Sequence, residues 1–220
     1  MRLRHHLLLC LSAGLATLAA ADERVPLKLD LPKPFFLGTP TPVQLPNLER
    51  PRTGKRPDFL VPAGAVNLAK GAPVTSSDDL PVIGELAYLT DGEKTGADGT
   101  FVELGPGLQW VQIDLGKAAA LHAIVFWHFH SQPRAYHDVV VQVSDDPAFK
   151  TGVQTVFNND HDNTAKLGRG ADPAYMETFE GRIVDPKGVT GRYVRLYSAG
   201  NTSDELNHYI EVEVYGLPGK

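Results

Sequence analysis

Cysteine is almost missing from this sequence: Cys10 is the only one in 220 residues. That excludes a disulfide framework, a thiolate nucleophile, an iron–sulfur cluster and a zinc ribbon. Cys10 itself lies in MRLRHHLLLCLSAGLATLAA, where Arg2 and Arg4 precede an apolar run from Leu7 to Ala20 that ends in small residues. This is the pattern of a secretory signal peptide, cleaved after Ala21. The run is short for a membrane span, so the expectation is a secreted or periplasmic protein without one. An excess of basic charge is lacking too, with 21 Lys and Arg against 26 Asp and Glu. An acidic chain is a poor partner for nucleic acid or anionic lipid. Convincing amphipathic helices longer than two turns are absent, as are a Gly-x-Ser-x-Gly elbow, a P-loop, a dinucleotide fingerprint and a His-Glu-x-x-His helix. The expectation is a protein that is not an enzyme.

Turn formers are plentiful: 21 glycines and 17 prolines tilt the reading toward β structure. Nine of the prolines fall within residues 22–65, which read as an extended, Pro-rich arm. Phe35, Phe36, Leu37, Phe59 and Leu60 leave two options, a spacer or a segment packed along the domain or a partner. Charge divides unevenly, with seven Lys and Arg against five Asp and Glu over 22–65, and twelve against twenty-one over 66–220.

After Ala65 the texture becomes short alternating strands. Val111, Ile113 and Leu115 share one face before Gly116. In Ala123–His130, Ile124, Phe126, His128 and His130 take one face, and Val125, Trp127 and Phe129 the other. Val139–Val143, Arg192–Tyr197 and His208–Tyr215 complete the set. Short strands and frequent turns predict an all-β fold, an antiparallel β-sandwich jelly roll behind the Pro-rich arm.

The segments Val66–Ser77, Leu89–Gly92, Trp110–Gly116, Val141–Asp146, Gly191–Leu196 and Ile210–Gly216 occur in an order that resembles the discoidin family, the coagulation factor V/VIII type C domains among the galactose-binding-like jelly rolls. The resemblance covers about residues 66–216, so that a discoidin-like domain (66–220) is expected to follow the signal peptide (1–21) and the arm (22–65). It implies a binding module for sugars, phospholipids or proteins, and fold alone does not choose among them. A polar stretch at Asn158–Glu180 looks inserted.

The loop from Leu89 to Thr100 mixes carboxylates, hydroxyls and glycines, which is how an oxygen-only calcium cage is assembled. The resemblance implies a structural calcium held by the side chains of Asp91 and Glu211, by carbonyls of Leu89 and a residue near Glu93, and by Thr95 or Thr100. An Asp-Gly turn with solvated carboxylates is the alternative. For the ligand, the resemblance points to Arg134 after Pro133. A guanidinium fork and imidazoles bond sugar hydroxyls while an aromatic face stacks on the ring. The expected rim comprises His128, His130, Gln132, Arg134, His137, Asn158, His161, Asn207 and His208, with a glycan or cell-envelope component as partner.

Competing readings stay open. Arg134 is a solvated loop residue on one of them, and Asn158–Asn163 a simple Asx-rich turn. The arm makes a protein-binding or structural envelope module an alternative. A His-rich transition-metal enzyme is another, if His128, His130, His161 and His208 converge with Asp160 or Asp162.

Overall fold

A computed structural model describes residues 23–34 and 42–218. The proposed signal peptide and the Phe35–Leu37 run lie outside the described residues. Twelve strands are present: β1 (Arg24–Pro26), β2 (Leu60–Pro62), β3 (Val66–Asn67), β4 (Val74–Ser76), β5 (Val102–Leu104), β6 (Gln109–Trp127), β7 (Val140–Ser144), β8 (Gln154–Asn158), β9 (Arg182–Val184), β10 (Thr190–Ser198), β11 (Asn207–Tyr209) and β12 (Glu211–Leu217). One 3-10 turn, Leu86–Thr90, is the only helical element among them.

Alternation predicts the strands well because one face of each is driven into a core. Val111, Ile113, Ile124, Phe126, Val141, Val143, Val194, Leu196, Val212 and Val214 all enter one cluster. All pairings between strands are antiparallel. The two strands expected at 108–115 and 123–130 are one continuous strand, β6. Its first half pairs β4 and β10, and its second half pairs β9 and β12. The ladder survives Gly116 because Ala119 and Ala120 pair Gly191 and Thr190. β6 then ends at Trp127, whose carbonyl accepts the Ile210 N–H at 2.8 Å, so residues 128–130 leave the ladder. The single strand expected from His208 to Tyr215 divides at Ile210: β11 pairs β5, and β12 pairs β6.

The described part of the arm is docked. β1 pairs β2, and Leu27 and Leu29 pack on a second cluster of Phe101, Val125, Trp127, Phe129 and Ile210. Farther along, Leu48 bridges Ala174 in parallel, Glu49 N–H donates to Ala174 O at 2.8 Å, and Asn47 Nδ2 donates to Asn159 O at 2.9 Å. The arm and the inserted-looking stretch therefore meet on one side of the sandwich.

Candidate functional site

Six of the nine expected ligand residues are buried. His128 follows β6 at 0% exposure, its Nδ1 2.8 Å from Glu177 Oε1 and its ring stacked on Tyr136 at 4.2 Å. His130 Nε2 is 2.9 Å from Lys94 O. Arg134 is 4% exposed: Nη2 donates to Gln132 Oε1 at 2.6 Å, Nη1 to Asp204 Oδ2 at 3.2 Å, and the guanidinium lies over Phe129 at 4.9 Å. This is a buried tie between loops rather than a solvated fork. Asn207 is spent on backbone, with Nδ2 donating to Gly105 O and Gly107 O and Oδ1 accepting from Gly200 N–H and Ser198 Oγ. Asn158 Nδ2 likewise donates to Gly168 O at 2.8 Å.

His208 lies between Tyr136 Oη, 2.9 Å from Nδ1, and Glu103 Oε2, 3.0 Å from Nε2. Burial, and then the Arg134 charge, lowers its pKa to about 4, so at neutral pH the contact with Glu103 is a hydrogen bond and not an ion pair. One tautomer satisfies both neighbours: Nε2–H donates to Glu103 and Nδ1 accepts from Tyr136.

The four histidines do not converge. His128 and His208 both contact Tyr136, His130 is held by the Lys94 carbonyl, and His161 is exposed elsewhere. Among the described residues the one group of three metal-ligand side chains within 4.8 Å of one another is Asp138, Asp160 and Asp162. A His-rich transition-metal centre is corrected on that ground.

His137 and His161 do come together. They line a cavity of about 320 Å³ with Asp138, Asn159, Asp162 and Asn47 of the arm. Thr164 Oγ1 lies 2.8 Å from Asp138 Oδ2 and 2.9 Å from Asp162 Oδ1. Burial raises the Asp138 pKa, whereas hydrogen bonds from Thr164 lower that of Asp162. Asn159 Oδ1 accepts the Val139 N–H at 2.7 Å, which fixes the amide so that Nδ2 is the free end, buried and without a partner. The sequence signalled the oxygen-rich 158–163 stretch. Asn47 carried no signal, because 112 residues separate it from its partner Asn159.

The loop that carries the proposed calcium residues touches the start of β12 through Gly92 and Glu211. Leu89 is buried in the 3-10 turn, and Asp91 follows it. Asp91 Oδ1 accepts Glu93 N–H at 2.7 Å, and Glu93 Oε1 accepts Thr95 N–H at 2.7 Å. Thr100 Oγ1 donates to Ala97 O. Glu211 Oε2 reaches Gly92 N–H at 3.2 Å, and burial, reinforced by Glu213 and Asp91, pushes its carboxyl up to about 9. A carboxylate so desolvated calls for neutralisation by a proton or a cation, whereas Asp91 and Glu93 are exposed and accept backbone N–H groups, as in the alternative Asp-Gly turn with solvated carboxylates. Gly96, at φ +64°, lets the loop approach: a Cβ there would stand 2.7 Å from Ile210 Cδ1. Lys94 turns inward and bonds Glu213 Oε1 at 2.6 Å.

No family model matches the sequence, and the search of curated proteins finds no match. Solved structures do align. A truncated AlyQ with CBM32 and alginate lyase domains aligns at TM-score 0.50 and 18% identity, over 71% of this chain and 35% of that one. A family 89 glycoside hydrolase from Clostridium perfringens gives 0.50 and 17% over 70% of this chain and 16% of that one. The likeness bears out the expected all-β fold, an antiparallel β-sandwich jelly roll. A chitosan-binding module from a chitosanase/glucanase of Paenibacillus sp. IK-5 aligns over 69% of this chain and 99% of its own, at 23% identity and TM-score 0.46. The residues that line the 320 Å³ cavity belong to loops and to the arm, where a jelly roll varies most.

Proposed function

We propose that the chain is an exported, non-catalytic carbohydrate-binding module of the discoidin type, with a structural calcium at Leu89, Asp91, Glu93 and Glu211 and a neutral or amino-sugar ligand in the His137–His161 cavity. The observation that carries the reading is Asn159. Its Nδ2 is a buried donor lacking an acceptor, a group that costs about 1–3 kcal/mol unless a hydroxyl or water meets it. The cavity that Asn159 lines also carries the carboxylates of Asp138 and Asp162 and the imidazoles of His137 and His161. Hydroxyl-rich ligands use such mixed donors and acceptors directionally. The signal-peptide pattern supports export to the periplasm or the exterior.

A glycan array probed with the full chain, followed by calorimetry on His161→Ala and Asp162→Asn, tests the reading. Both side chains are exposed, so affinity should fall about tenfold while the melting temperature holds. A blank array, or affinity untouched by both changes, removes sugar binding from this cavity.

A protein-binding envelope module is the second reading, favoured by the exposed tip of Leu80 and Val82, 84% and 59% accessible.

A further inference from the structure

A larger cavity, about 790 Å³, lies between arm residues 49–59 and the stretch 175–183. Its lining has the opposite charge character from the domain. Arg50, Arg52, Lys55 and Arg56 come from the arm and Arg182 from β9, against Glu49, Glu177 and Glu180.

Two ion pairs join the walls, Arg52 to Glu180 at 2.7 Å and Arg182 to Glu49 at 3.0 Å. Glu177 is turned inward to His128. That leaves Arg56, Arg50 and Lys55 with no ion pair of their own among the described residues. Arg56 is half-buried, and its Nη1 donates to Glu180 O and Gly181 O, both at 2.9 Å, acceptors that carry no full charge. Burial lowers its pKa, and the Glu180 carboxylate, already paired with Arg52, offsets that only in part. The same cavity is walled by Phe59 and Phe179, both half-buried, which offer the apolar surface a pyranose C–H face takes, while the Tyr175 ring lies buried under the Arg182 guanidinium at 4.5 Å. Tyr175 Oη is buried and makes no hydrogen bond.

We infer that this arm–domain cavity binds an acidic saccharide, its carboxylate or sulfate on Arg56 and Lys55 and its ring against the aromatic wall. The arm then serves as half of a binding site and not as a spacer. Guanidinium and ammonium groups hold such anions by charge-assisted hydrogen bonds. The inference rests on the carbohydrate reading only for the ligand's being a sugar, since the site, its residues and its charge requirement are separate from those of the His137–His161 cavity.

Isothermal calorimetry on the full chain tests it with three probes: an oligogalacturonate, its fully methyl-esterified form, and a sulfated galactose oligomer. The first separates a carboxylate source from the third, a sulfate source, and the second keeps ring and linkage but removes charge. Binding of at least one acidic probe, weakened by added NaCl and by about tenfold or more in Lys55→Glu and Arg56→Gln, is the expected result. Lys55 is exposed and makes no hydrogen bond or ion pair, so Lys55→Glu isolates the charge even if Arg56→Gln loosens the arm. The proposal is overturned if neither acidic probe binds, if the esterified probe binds equally well, or if neither variant changes affinity. A blank neutral-glycan array would sink the reading of the other cavity without touching this outcome.

Discussion

Lys94 Nζ lies 2.6 Å from Glu213 Oε1 beneath the outer loop, with side-chain exposures of 8% and 7%, and 5.3 Å from the Trp127 ring. It pairs with the buried Glu213, while Glu211, on the same face of β12, has its carboxyl pushed up to about 9. Removing Lys94 leaves Glu213 buried without a cation. Lys94→Met is expected to lose about 3–5 kcal/mol of unfolding free energy in urea, and Lys94→Met with Glu213→Leu to recover most of that. Equal stability of the single variant and the wild type would show that the pair contributes nothing.

Calcium should stabilise the same corner. Binding to the native state alone adds on the order of 3 kcal/mol at a hundredfold excess over the dissociation constant. Chelation is therefore expected to lower the melting temperature, and Asp91→Ala to abolish the response. If chelator has no effect and Asp91→Ala is neutral, there is no calcium clamp.

His208 sets an acid limit. Its pKa is lowered to about 4 by burial first and Arg134 second, whereas the unfolded value is about 6.5. The unfolded state binds the proton more readily between these values, so this contribution is complete above about pH 6.5 and is lost as pH falls toward 4. The loss amounts to about 2–3 kcal/mol. Urea melts across that window should show a steeper fall in the wild type than in His208→Gln, and parallel curves would contradict the assignment.

Arg134→Ala should act on folding. The guanidinium links Gln132, Asp204 and the Phe129 ring while almost wholly buried. Truncation leaves these groups partnerless and should cost about 2–4 kcal/mol. A variant as stable as the wild type would return Arg134 to the surface loops.

The arm is expected to unfold with the domain. Leu27→Ala and Leu29→Ala, both half-buried on the Trp127 cluster, should each cost about 1–2 kcal/mol. Limited proteolysis that removes residues 23–34 under native conditions, without any change in melting temperature, would contradict docking.

Strand positions were legible in the sequence because period-two alternation reports which side chains are driven from water, a local property of each segment. Val111 and Ile113, or Val141 and Val143, needed no partner to declare their face. What alternation cannot report is where a strand changes partner, so the junction at Gly116 and the break at Ile210 became visible only with the pairings of β6, β11 and β12. The sites follow the same division. Histidine, arginine and asparagine advertise hydrogen bonding but not to whom, and six expected rim residues proved to be bonded inside the protein. The His137–His161 cavity needed Asn47, and the larger cavity needed Arg56 and Phe59, all brought from the arm across more than a hundred residues of chain. Sequence by itself determined the sandwich, because burial periodicity is written residue by residue. Only the tertiary structure decided which polar groups remain for a ligand, because that depends on which of them the folded chain has already satisfied.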